Sequence, residues 1–278
     1  MMCKTLAAIL ILFCIASFVP QSVSGQDVSP NTLSVADKAA GWKLLFDGKS
    51  LSGWRRFRRQ DSPGPCWVIE DGALKRENGH KRGECGDIVT KDEYSSFEFA
   101  FEWRIAPNGN SGVKYLIVED RPGSWEKVSV EKEIENLKKQ KQPNEQRIAS
   151  VKPENFMYSP IGFEFQLLDD ALNADARVGG SHKTGALYDL IAPSQSPARP
   201  AGEWNQSRIL VRGKHIEHWI NGAKVVEFER GSEQLNNAVA QSKFKDFEGF
   251  GTATKGRIDL QDHNSEVWFR NMKIRVLP

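Results

Sequence analysis

Several apolar segments of this chain carry charged or hydrogen-bonding groups at every second position, and that spacing could support chemistry. From Ser96 to Arg104, Phe97, Phe99, Phe101 and Trp103 share one face of a period-two pattern, while Glu98, Ala100, Glu102 and Arg104 share the other. In GFEFQLLD, Phe163, Phe165 and Leu167 point one way and Glu164 and Gln166 the other. Lys114 lies in the run Val113 to Val118, and Gln261 and His263 share a face in Arg257 to His263. An idle solvated sheet would show Ser and Thr there. Carboxylates, cations, amides and an imidazole can instead move protons, neutralise a developing anion and hold hydroxyl groups. The stretch HKTGALYD adds His182, Tyr188 and Asp189 around small residues that make poor core material. The competing account of any one of these residues is an ordinary solvent-facing strand position.

The elements that must position these groups are strands. Residues 208–212 and 215–220 flank a Gly213-Lys214 turn, and Asn221-Gly222 and Asp71-Gly72 are dipeptides suited to type I′ hairpins. Short strands are expected at Trp42 to Phe46 and Asp87 to Thr90, with Trp54 capping one end of the core and VWFRNMKIRVL closing the sheet. No alternation of helix and strand occurs, which argues against nucleotide-binding α/β folds and β/α barrels and for an all-β, two-sheet antiparallel sandwich. If the sheets curve, one outer face is concave, and Glu102, Arg104, Glu164 and Gln166 are expected to line it together. Residues 119–153 interrupt the pattern with a Lys/Glu/Gln-rich insertion in which Val130, Ile134 and Leu137 recur at helical spacing.

With 278 residues and 39% hydrophobic content, the chain can bury a large core as one domain over 41–278. Its net charge of +2 gives no reason to expect nucleic acid or an anionic membrane as a partner. Lys4, the apolar run Leu6 to Val19 and Val23-Ser24-Gly25 read as a secretory signal over 1–25, with a polar, loosely attached leader over 26–40. Export to the periplasm or the medium follows, with no later stretch able to span a bilayer. Cys66 and Cys85 would be the mature cysteines, expected to pair in an oxidising compartment.

The segments GWKLLFDGKSLSGW, FEWR followed by NSGVKYLI, GFEFQLLDD, TGALYDLIAP, PAGEWN, HWING and IDLQDHNSEVWFRN come in an order and spacing that closely resembles the DUF1080 family, also called the 3-keto-disaccharide hydrolase domain. The resemblance covers about Gly41 to Pro278, with the charged insertion as a departure. It implies a jelly roll of the concanavalin A-like or LamG-like kind with a sugar-binding concave face, common in exported proteins of glycan-degrading bacteria. It also implies cleavage of glycosides whose glucose ring already carries a ketone at C3.

Such a ketone acidifies the C2 hydrogen, so a base can remove it, the enolate can expel the C1 substituent, and water can add to the unsaturated sugar. The site needs a base near C2, a cation or strong donor near the C3 oxygen and an acid near the leaving oxygen. Glu164 is the first choice for the base and His263 the second, with Lys114 and Arg104 as cations. His182 and Tyr188 are candidate donors to the leaving group. Glu102, Gln166, Asp169, Trp204, Asn205 and Gln261 are candidates for holding hydroxyls or stacking a sugar. Two other readings are a non-catalytic carbohydrate-binding module and an ordinary jelly-roll glycosidase using Glu102 with Glu164 as its carboxylate pair. No cofactor is implied, and a calcium ion at Asp169-Asp170 is left open because no established calcium loop is matched.

Overall fold

The computed structural model describes residues 29–60, 62–80, 84–119, 134–139, 145–149, 160–247 and 249–278. The expected signal segment 1–25 lies outside them, as does most of the insertion. The described strands are β1 Lys43–Leu44, β2 Trp54–Arg56, β3 Trp67–Glu70, β4 Ala73–Arg76, β5 Ile88–Thr90, β6 Phe97–Ile105, β7 Asn110–Ile117, β8 Phe163–Leu168, β9 Asn205–Arg212, β10 His215–Ile220, β11 Ala223–Glu229, β12 Arg257–Leu260 and β13 Val267–Val276. One sheet runs β11-β10-β9-β6-β13-β4-β3, with β1 added on β13, and the other runs β2-β5-β12-β7-β8. All described strand pairings are antiparallel, and the two sheets pack as a jelly-roll sandwich. The turn dipeptides behave as expected, with positive φ at Asp71, Gly72, Asn221 and Gly222.

The aromatic rows form the interior. Phe97, Phe99, Phe101 and Trp103 from β6 meet Phe163, Phe165 and Leu167 from β8, all essentially inaccessible, with Phe101 and Phe165 edge to face at 5.8 Å. Because these two rows face each other across the core, their alternate residues point in opposite directions. Glu102 and Arg104 lie on the outer face of the larger sheet, and Glu164 and Gln166 on the outer face of the smaller one. The expectation that all four line one concave face is therefore incorrect. Alternation fixes which residues point inward, but not which of two outer faces the others occupy.

The smaller sheet also departs from the half-solvated pattern. Every residue of β7 and β8 is buried, and TGALY lies along β8 as a further edge segment. Gly185 N donates to Gln166 O at 2.8 Å and Tyr188 N to Glu164 O at 3.0 Å. The disulfide joins Cys66 to Cys85, with Cα atoms 5.6 Å apart.

The leader is tethered rather than loose where it is described. Asn31 N donates to Asn271 Oδ1 at 2.6 Å, Asn31 Nδ2 donates to Gly72 O at 2.7 Å, and helix Val35–Ala39 is pinned by Asp37 to Lys273 at 2.6 Å. In the insertion, residues 134–138 are helical and Leu137 is buried, so this part packs an apolar side chain.

Candidate functional site

Register assembles a charged row across the outer face of the smaller sheet. Asp259 on β12 pairs with Lys114 on β7, and Lys114 pairs with Glu164 on β8. Asp87, just before β5, reaches the same place, and Lys114 Nζ donates to Asp87 Oδ2 at 2.8 Å and lies 4.0 Å from Asp259 Oδ1. One ammonium among three carboxylates in a buried setting cannot keep all of them ionised. Desolvation alone would lower the Lys114 pKa, but Asp87, Asp259 and Glu164 together raise it, so it stays an ammonium. Burial, followed by the charge of Asp87, pushes the Asp259 carboxyl well above the ordinary range. Burial raises Glu164 as well, against the opposing pull of Lys114 and Lys243.

Gly112 explains why Glu164 can lean inward. A Cβ at Gly112 would stand 2.3 Å from Glu164 Oε1, so the missing side chain leaves room for the carboxylate over the strand. Gln166 and Gln261 flank this space, and Gln166 Oε1, Gln261 Oε1 and both Asp259 carboxyl oxygens are buried without a protein hydrogen-bond donor. Buried polar groups are normally satisfied, so these unpaired oxygens beside Glu164 mark a place where a ligand's hydroxyls or water would bond.

The 3-10 turns Ala174–Arg177 and Gly180–His182 supply the rim. Asp175 Oδ2 accepts from Tyr188 OH at 3.0 Å, while Asp175 Oδ1 and Asp189 Oδ1 flank the His182 ring nitrogens at 2.9 and 3.0 Å. Burial first, and Asp175 next, raise the Tyr188 phenol far above its usual value. His263 is exposed and shares a hollow of about 440 Å³ with Tyr188, Asp175, Asn110 and Ser265. Its loop is held from below by Arg76, which pairs with Asp262 at 2.6 Å and donates to Asn264 at 2.9 Å.

A larger hollow of about 610 Å³ lies on the opposite face, between the leader and β6, β9 and β10. Its charges are paired, Asp37 with Lys273 and Glu102 with Arg270, and the Lys273 bond lowers the Asp37 pKa, so it lacks the unmet acceptors and the burial-raised carboxylates of the smaller-sheet face. Those features make the smaller-sheet face the candidate site.

The structure thus brings together Glu164, Lys114, Gln166, Gln261, His182, Tyr188 and His263. It leaves out the five other candidates. Arg104 stacks between Trp204 and Trp268 at 5.2 and 4.4 Å on the far face, and Glu102 pairs with Arg270 at 2.7 Å beside it. Trp204 belongs to that same group, with Arg270 over its ring at 4.0 Å. Asn205 is structural: its Oδ1 accepts from Arg199 N at 2.7 Å and Asn221 Nδ2 at 2.9 Å, fixing PAGEWN to the hairpin. Asp169 is occupied by turn bonds, accepting from Asn108 N at 2.7 Å and Ala171 N at 3.1 Å, and Asp170 accepts from Thr184 N at 2.9 Å. Those bonds explain both acids without calcium. Glu102 and Glu164 cannot act as a facing pair, because they occupy opposite faces of the sandwich.

Asp87, Asp175 and Lys243 were not singled out from the sequence: Asp175 and Lys243 lie in a short 3-10 turn and a loop that show no period-two alternation, and Asp87 opens an expected strand too short for its outward face to be read from sequence. Asp259 could have been found, because it sits on the same alternation as Gln261. Lys243 follows helix Glu233–Gln241; its main-chain N donates to Asp189 Oδ2 at 2.8 Å and its Nζ lies 4.1 Å from the Tyr188 ring centroid.

The sequence profile described as the 3-keto-alpha-glucoside-1,2-lyase-like domain matches residues 41–275. A protein of Bacteroides thetaiotaomicron named 3-keto-disaccharide hydrolase is 30% identical over 276 residues, covering 93% of this chain and 86% of its own. A crystal structure of a candidate glycosyl hydrolase from Parabacteroides distasonis is 32% identical, with a TM-score of 0.69 over 90% of this chain and 100% of its own. A second from the same organism is 25% identical, with a TM-score of 0.55 over 85% and 99%.

Proposed function

The chain belongs to the 3-keto-alpha-glucoside-1,2-lyase-like family, and on that premise we propose that it is a carbohydrate-active enzyme cleaving glycosides oxidised at C3 of glucose. The reaction runs by removal of the C2 proton, expulsion of the C1 substituent and addition of water. The observation that carries this reading is Glu164, a buried carboxylate with a raised pKa leaning over Gly112 amid acceptors that no protein group satisfies. A general base works best when its pKa lies near the working pH, and burial moves Glu164 in that direction.

Glu164 takes the C2 proton and Lys114 is the fixed cation beside it, bound to Asp87. Gln166 and Gln261 accept from sugar hydroxyls. The pair Tyr188 and His182, both anchored on Asp175, stands at the rim, where a leaving oxygen needs a donor. His263 is the alternative base from the other side of the hollow. This arrangement does not need the two facing carboxylates of an ordinary glycosidase. No helix of the described residues is long and apolar enough to cross a membrane. From the pattern of residues 1–25 we further infer that the enzyme works outside the cytoplasm.

The test is a panel of plain and 3-keto glucosides with product analysis. Cleavage restricted to the oxidised sugars supports the reading. Cleavage of plain glucosides points to an ordinary glycosidase, and binding without cleavage of either to a carbohydrate-binding module.

A further inference from the structure

The site holds two lysines in opposite situations. Lys114 is sunk in the sheet face, donates to Asp87 and lies between Asp259 and Glu164. Its charge is committed to those carboxylates. Lys243 comes from the loop after helix Glu233–Gln241, with its side chain crossing the Tyr188 ring at 4.1 Å and lying 5.1 Å from Phe244. Among the described residues its ammonium meets aromatic faces, with no carboxylate within ion-pairing distance and no hydrogen-bond acceptor. A cation held against a ring keeps its N–H groups available for another acceptor.

Its position is fixed on both sides. The Lys243 main-chain N–H is bound by Asp189, which also contacts His182. The neighbouring Phe244 stacks on Phe250 at 4.3 Å, and Phe250 meets Phe163, the residue before Glu164, at 5.7 Å. The ammonium is thereby built into the wall that holds Tyr188 and shares an electrostatic environment with Glu164.

Resting on the reaction proposed above, we propose that the Lys243 ammonium binds the C3 carbonyl oxygen of the oxidised sugar and carries the enolate charge when the C2 proton leaves. In that step the C2–H electrons move into a C2–C3 double bond and the C3 carbonyl pair moves onto oxygen, beside the lysine N–H, while Glu164 takes the proton. The enolate then reforms the C3 ketone, a C1–C2 double bond appears, and the C1–O bond breaks with a proton going to the leaving oxygen. Water finally adds hydroxide at C1 and a proton at C2. Lys243 is neither consumed nor covalently changed.

The charged groups facing Lys243 are Asp189 and Asp175 at the rim, Glu164 from β8 and Lys114 from β7. Desolvation outweighs the carboxylates and lowers the ammonium pKa, although the residue as a whole is exposed. The alkaline limb of kcat should therefore lie below that of an ordinary lysine.

The experiment measures pH profiles of kcat and KM on a 3-keto glucoside for the wild type, Lys243→Arg and Lys243→Met, with thermal melts to confirm folding. Loss of one preorganised donor to a developing oxyanion costs about 100- to 1,000-fold in kcat. The expected result is a fall of that order in Lys243→Met, a smaller fall in Lys243→Arg, and an alkaline limb that moves upward in the arginine variant. Folded Lys243→Met with wild-type kcat, or an alkaline limb unmoved in Lys243→Arg, would overturn the assignment while leaving the proposed reaction standing. A wild type inert on every 3-keto glucoside overturns both.

Discussion

At the residue scale, the site depends on one carboxylate and the empty space beside it. Glu164 is raised by burial and held near Lys114, so its ionised form is available without being idle. Gly112 provides the space, because a methyl group there would meet Glu164 Oε1 at 2.3 Å and would have to push the carboxylate aside. The far end of a flexible side chain can move, so Gly112→Ala should fold and lose turnover. Steady-state kinetics and a thermal melt on the same protein check this; wild-type kcat in Gly112→Ala would show that Glu164 does not need that position. A second prediction concerns acid pH. As Glu164 must be ionised to accept a proton, kcat should fall on the acid side with a midpoint above that of an ordinary glutamate, and a limb at or below the ordinary value would contradict the burial argument.

At the scale of elements, the segment TGALY extends the smaller sheet beyond β8. It is held by backbone bonds to β8 and, from the core side, by His218 on β10, whose Nδ1 lies 3.0 Å from Gly185 O while Nε2 lies 2.8 Å from Tyr115 OH. His218 is fully buried, and burial lowers its pKa to about 4. The unfolded chain protonates this histidine near pH 6.5, and the folded chain only near pH 4, so acidification through that window favours unfolding. The group should cost about 3 kcal/mol of stability between pH 7 and pH 4. Denaturant melts across this range should show a flatter curve in His218→Phe, even though that variant is less stable at every pH; parallel curves would contradict the assignment. The strands and turns of this region were legible, because period two and the Asn-Gly and Asp-Gly dipeptides act locally. The role of TGALY as an added edge segment was not, since its pairing is set by contacts about twenty residues away and it carries no alternation of its own. Lys243 and Asp175 escaped for the same reason.

At the scale of the whole molecule, the two sheets give the chain two polar outer faces, and among the described residues the smaller sheet's face is the one with carboxylates raised by burial and unmet acceptors. Sequence alternation identified the core rows and the candidate residues of both faces. It could not assign the strands to sheets, which is why Arg104 and Glu102 were grouped with Glu164. The disulfide closes a sequence separation of 19 residues, and its reduction should cost about 3 kcal/mol of stability, measurable by denaturant melts with and without reductant. Identical melts would show that the loop is held by packing alone. The central claim is that proton abstraction takes place on the smaller-sheet face, and the most direct measurement is exchange of the C2 hydrogen of a 3-keto glucoside with deuterated water, followed by NMR. The wild type and Glu102→Gln, altered on the opposite face, should exchange and cleave alike, while Glu164→Gln should lose both by about 100- to 10,000-fold. Undiminished exchange in Glu164→Gln, or its loss in a folded Glu102→Gln, would contradict the account.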